Sequence, residues 1–171
     1  MSRLPPGTLF FEEPSSSMNH PFPPDPFPPS PFDQLLVPEG LHLQLIHHAQ
    51  FALPHECCGL LAGRIHRGQG FVTHVFPLGN ALASPTAYLT DPRDLLHAFR
   101  NLRQLRCDLL GFYHSHPTSS PWPSRRDLEQ NTYGSEVVHV IIGLAGKVPE
   151  IAAWRLFPGS YQAVPYHRLA G

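Results

Sequence analysis

The stretch "YHSHPTSSPWPSRRD", residues 113–127, places two histidines one residue apart, then a proline-rich turn, a serine, two arginines and an aspartate. In a strand, residues two apart point to the same face, so His114 and His116 are neighbours and Ser115 points away. The turn that follows is long enough to reverse the chain, and Asp127 falls just inside a short helix expected to start at Ser124. Two imidazole nitrogens and one carboxylate oxygen, with a fourth position left for water, are the ligand set of a hydrolytic zinc site. A structural zinc site is normally closed by four protein ligands, often cysteines. Each part also has a plainer reading. A His-x-His pair alone is a weak signal, and Ser124 with Asp127 fits a helix cap of the Ser-x-x-acid kind.

Working outward, "CDLLGFYHS" (107–115) reads as the strand that carries the histidines. Before it, "TDPRDLLHAFRNLRQLR" (90–106) is the clearest helix, with Asp91 as N-cap, Pro92 at the first helical position and an apolar stripe through Leu95, Leu96, Phe99 and Leu102. "PEGLHLQLIHHAQFAL" (38–53) reads as a helix ending before Pro54. "CCGLLAGRI" (57–65), "GFVTHVFPLGN" (70–80), "SEVVHVIIGLAG" (135–146) and "EIAAWRLF" (150–157) read as strands, with "YQAVPYHRL" (161–169) as a last edge piece. "LGNALASPTAYLTDP" (78–92) is the one sizeable loop before the helix. Interleaved helices and strands predict a mixed α/β or α+β class around a single sheet.

The chain has 171 residues, enough for one domain and one core. Its formal net charge of -1 gives no pull toward nucleic acid or an anionic membrane. Three cysteines without a CxxC pattern argue against a disulfide scaffold or a cysteine-type zinc site. With no apolar leader and no run long enough to span a bilayer, a soluble cytoplasmic setting is expected. Residues 1–37 differ from the rest: "NHPFPPDPFPPSPFDQ" (19–34) alternates proline with phenylalanine and is expected to be an extended or disordered arm outside any sheet. Phe22, Phe27 and Phe32, spaced five apart, offer a way to dock it. The folded domain is expected over 38–171.

Glu56, in "LPHECCGLLAG" (53–63), stands at a helix-to-strand junction among residues that look like core. A glutamate there needs a reason, because charged groups are seldom buried unpaired. Metal-assisted hydrolysis needs a base that takes a proton from water and passes it to the leaving amine, and a glutamate with its pKa raised by a dry site fits.

Glu56 followed by "CCGLLAG", then "HSHPTSSPWPSRRD", resembles the JAMM (MPN+) family of zinc metalloproteases over roughly residues 38–165. The family pattern is a glutamate, His-x-His-Pro, a serine seven intervening residues later, and an aspartate three beyond it. Glu56, His114, His116, Pro117, Ser124 and Asp127 fill every position. The resemblance implies the MPN fold, a curved, mostly antiparallel β-sheet flanked by helices. It implies one catalytic Zn²⁺ on His114, His116 and Asp127, with Glu56 as general acid/base and Ser124 as hydrogen-bond donor to the bound water or oxyanion.

It further implies a peptidase or isopeptidase, deubiquitinase-like, that cuts after the C-terminal glycine of a ubiquitin-like β-grasp protein. The alternatives are a processing peptidase for a ubiquitin-like sulfur carrier and a non-catalytic MPN scaffold. The scaffold is disfavoured because every motif position is filled. The short chain leaves little room for the insertions of larger members, so a compact prokaryotic enzyme is expected. Trp122 is placed either at the rim of the groove or as a plug against the core, and His139 in the core, with approach to the site as its alternative.

Overall fold

The structure, a computed structural model, describes residues 32–170. Eight strands form one sheet in the order β7-β6-β5-β4-β2-β3-β1-β8. The strands are β1 Gln34–Pro38, β2 Cys58–His66, β3 Gln69–Leu78, β4 Asp108–His116, β5 Val138–Gly143, β6 Glu150–Phe157, β7 Ser160–Val164 and β8 Tyr166–Leu169. The helices are α1 Glu39–Ala52, α2 Pro92–Leu105 and the short α3 Arg125–Glu129. Pairings β2·β3, β2·β4, β5·β6 and β6·β7 are antiparallel. Pairings β4·β5, β1·β3 and β1·β8 are parallel. The expected mixed α+β class with a mostly antiparallel sheet is what the chain adopts.

β7 and β8 are separated only by Pro165, yet they occupy opposite ends of the sheet order. Two residues of chain span at most about 7 Å, so the sheet has to curl until its ends meet. Barrels remove exposed edges in the same way.

Strand alternation sorts β4 onto two faces. Tyr113 joins the cluster of Leu45 and Ala49 from α1. Phe112 joins the cluster of Ala98 and Leu102 from α2. The Tyr113 hydroxyl meets His48 Nδ1 of α1 at 2.8 Å. On the other face α2 begins as the sequence predicts: the Asp91 carboxylate accepts from the Arg93 and Asp94 amides at 2.8 and 3.2 Å, and Pro92 follows at the first helical position. α2 stops where Arg106 turns left-handed at φ 52°.

The boundary of the arm needs correction. Phe32 is 1 % exposed, and Leu35 and Val37 are fully buried. These residues were expected in the extended arm outside the sheet, but Gln34–Pro38 is an internal strand pairing β3 and β8. The Phe32 carbonyl accepts a hydrogen bond from the Arg155 guanidinium, which also lies 5.5 Å from the Phe32 ring centroid. The prolines deceive because they stop at Pro31; the following "QLLVP" is apolar and its only proline closes the strand. Phe22 and Phe27 lie outside the described residues. No helix among the described residues is long and apolar enough to cross a membrane.

Candidate metal centre

The C-terminal end of β4 faces the α2 side of the sheet. His114 and His116 project from it together, as strand parity requires. Their Nε2 atoms lie 3.2 Å apart. Asp127 reaches back from the first turn of α3, placing Oδ1 3.1 Å from His114 Nε2 and Oδ2 3.4 Å from His116 Nε2. Ligands held about 2.0–2.1 Å from a tetrahedral ion are separated by about 3.3–3.4 Å. The three donors are therefore already spaced for one metal ion, and among the described residues they form a cluster with that capacity.

Local chemistry holds each donor. The Ser120 carbonyl lies 3.0 Å from His116 Nδ1, which puts the proton on Nδ1 and leaves the Nε2 lone pair free. The turn 117–123 is clamped on its far side. Trp154 Nε1 donates to the Pro121 carbonyl at 2.7 Å, and a Cβ at Gly143 would sit 2.7 Å from Pro121 N. His114 Nδ1 is buried without a hydrogen-bond partner among the described residues. Its ring is held instead by Tyr88, stacked at 4.7 Å with 25° between planes.

Ser124 and Asp127 form a capping box. Ser124 Oγ accepts from the Asp127 amide at 3.2 Å, and the Ser124 amide donates to Asp127 Oδ2 at 2.6 Å. The plain helix-cap reading is therefore realised, and it aims the carboxylate at the histidines. Ser124 Oγ uses a lone pair in this cap, so its O–H remains able to donate. Burial alone would raise the Asp127 carboxyl; hydrogen bonds from His114, His116 and Ser124 overcome it and hold the group far below the usual carboxylate range.

Glu56 is 7 % exposed and lies two residues before β2 begins at Cys58. Burial pushes its pKa up to about 7, partly offset by His116 and reinforced by Asp127, so its carboxyl is within electrostatic reach of both. Its position is pinned through Cys57, whose amide donates to Ser115 Oγ at 2.8 Å and whose carbonyl accepts from the Ser115 amide at 3.1 Å. Ser115, which points away from the histidines, thus locks the glutamate segment to β4. The neighbouring thiols are buried and held in their protonated form: burial pushes Cys57 up to about 11 and Cys58 up to about 12.

A cleft of about 560 Å³ opens beside Asp127, lined by Tyr88, Leu89, Phe112, Tyr133 and His139 among others. His139 pairs with Phe112 across β4·β5 and is buried, so its pKa falls to about 3 and the ring is neutral. It is both a core residue, as expected, and part of the cleft wall. Trp122 is 57 % exposed, and its ring packs against Trp154 with centroids 4.8 Å apart and planes tilted by 42°. Its ring contacts are with Trp154 and Tyr161, which is the packing side of the two readings. Sequence reasoning missed Tyr88, Asn80 and the role of Ser115; "GNALASPTAYL" (79–89) has no periodicity to single them out.

A family profile described as prokaryotic homologs of the JAB domain matches residues 38–157. A probable TtuB-protein conjugate cleaving protease of Thermus thermophilus is 41 % identical over 113 residues, 66 % of this chain and 72 % of that protein. A desampylase of Haloferax volcanii is 38 % identical over 81 residues, 47 % of this chain and 57 % of that one. A CysO-cysteine peptidase of Mycobacterium tuberculosis is 33 % identical over 88 residues, 52 % of this chain and 59 % of that one. The solution structure of a protein from Desulfitobacterium hafniense superposes with a TM-score of 0.75 at 29 % identity, covering 81 % of this chain and 94 % of that one. With the profile spanning most of the fold and the three-donor cluster inside it, this chain is a member of the family of prokaryotic JAB-domain proteins.

Proposed function

We propose that the protein is a JAMM-type zinc peptidase that hydrolyses the bond after the C-terminal glycine of a ubiquitin-like protein. The observation that carries this reading is the three-donor cluster with a buried glutamate beside it. The relatives named for conjugate cleavage and peptidase activity support the substrate class. A scaffold role would not need three donors spaced for one ion.

His114, His116 and Asp127 would hold the ion, and bound there zinc supplies Lewis acidity and makes water acidic enough to attack near neutral pH. Glu56 takes the proton of the attacking water on its carboxylate and delivers it to the leaving nitrogen. A glutamate whose pKa lies near 7 is suited to both transfers. The Ser124 hydroxyl donates to the oxygen on which charge develops. His114 is fully buried and His116 is 6 % exposed, so a substrate backbone has to come close to the sheet. Glycine, without a side chain, permits that approach.

The test is cleavage read by intact mass. Zinc-loaded wild type and Glu56→Gln are offered diglycine-tailed β-grasp proteins, either extended linearly or joined to a lysine. A cut after the diglycine that falls by about 10²–10⁴-fold in Glu56→Gln, with zinc retained, is expected. No cut of either substrate by zinc-loaded wild type refutes the reading. A preference for the linear form selects carrier maturation; a preference for the lysine form selects conjugate removal.

A further inference from the structure

Asn80 opens the segment between β3 and α2, where it bridges to Thr90. Its side-chain amide uses every hydrogen-bonding group it has. Nδ2 donates to the Glu56 carbonyl at 3.1 Å and to the Ala87 carbonyl at 3.0 Å. Oδ1 accepts from the Leu82 and Leu89 amides, each at 3.1 Å. Two carbonyls face one end and two N–H groups face the other, so the amide has one orientation only. The Glu56 amide also ends on this segment, donating to the Ser84 carbonyl at 2.9 Å. Both backbone groups of Glu56 are therefore held by residues 80–84. Ala87 and Leu89, both bonded to Asn80, flank Tyr88, whose ring stacks on His114.

We propose that Asn80 is a positioning residue that fixes Glu56 and the Tyr88 ring against the metal-binding histidine as one unit. The proposal rests on the reading of Glu56 as the proton carrier. Asn80 touches no reacting atom. It acts by preventing the glutamate backbone from shifting relative to β4, and such displacement is costly because proton transfer demands near-contact geometry.

Two variants divide its work. Asn80→Ala removes all four bonds. Asn80→Asp keeps an acceptor for Leu82 and Leu89 but loses both donors and sets an oxygen against the Glu56 carbonyl. Amide exchange of the zinc-loaded protein, read by NMR, needs no substrate. In Asn80→Ala the Glu56, Leu82 and Leu89 amides should exchange roughly tenfold faster or more, while in Asn80→Asp only Glu56 should. On a substrate the wild type cuts, both variants should lose about 10–100-fold in kcat, with KM within about twofold and zinc content unchanged.

Unchanged protection at Glu56 in folded Asn80→Ala overturns the proposal, whether or not any substrate is found. So does wild-type kcat in both variants. Loss of the fold in both also overturns it, because the residue would then be structural. A wild type that cuts nothing defeats the peptidase reading alone, and the exchange measurement still decides this one.

Discussion

Two segments flank the metal centre and serve it in opposite ways. Residues 113–127 supply the three side chains that could hold a metal ion and organise them locally: strand parity aligns the histidines, and the capping box aims the aspartate within four residues. Residues 79–91 supply no donor. They hold Glu56 by its backbone and lay Tyr88 on His114, through bonds that reach from Asn80 across the segment. One segment defines which atoms of the candidate metal site converge; the other defines where Glu56, the proposed proton carrier, and the ring on His114 stand. Damage to the first should therefore abolish metal binding, and damage to the second should leave metal in place and impair turnover.

The sharpest break is Asp127→Ala. It removes a donor and leaves the two histidines without their common partner, so metal analysis should find the ion lost and activity absent. Retained stoichiometric zinc would show that the donor set is wrong. Ser124 comes next because it forms the cap and is also the proposed hydrogen-bond donor to the reacting oxygen. Ser124→Ala should cost about 10²–10³-fold in kcat and on the order of 1 kcal/mol of stability from the lost cap. Ser124→Asp restores the cap without a donor at neutral pH, so Tm should recover while kcat does not. Recovery of both would reduce Ser124 to a cap.

A smaller effect is expected in the second segment. Tyr88→Leu removes the stacked ring from His114 while keeping bulk, and should lower kcat about tenfold at most with zinc retained, since aromatic pairs contribute about 0.5–1.5 kcal/mol. Metal loss equal to that of Asp127→Ala would erase the distinction between the segments. The smallest effect concerns pH in the metal-stripped protein. The pKa of Glu56 in the fold is raised from 4.5 to about 7, so the native state holds its proton where the unfolded chain has released it. Stability should fall as pH rises through that window, and Glu56→Gln should remove this part of the slope. Parallel Tm–pH curves for wild type and variant would place the carboxyl in a wetter environment than its burial implies.

What could be read in advance follows from the range of the interactions. The histidine pair, the Asp91 cap with Pro92, and Ser124 with Asp127 are each set by neighbours within a few residues, so spacing alone reveals them. Glu56 could be singled out because a charge among apolar residues is conspicuous. Asn80 could not, since an asparagine in a loop is ordinary and its partners at Glu56 and Leu89 lie 24 and 9 residues away. β1 was hidden for a related reason. Five residues beside a proline-rich stretch carry little pattern, and their partners, β3 and β8, lie far along the chain. The spacing of Phe32 from Phe22 and Phe27 says nothing of its place, which is set by the core cluster it joins and by Arg155 over its ring.

The pairing of β1 with β8 also sets an order of events during synthesis. Leu35 pairs with Tyr166, about 130 residues later. β1 emerges from the ribosome first but can complete its pairing only after β8 has followed. Until then the nascent chain carries an open, apolar strand edge, and such edges are where growing polypeptides aggregate.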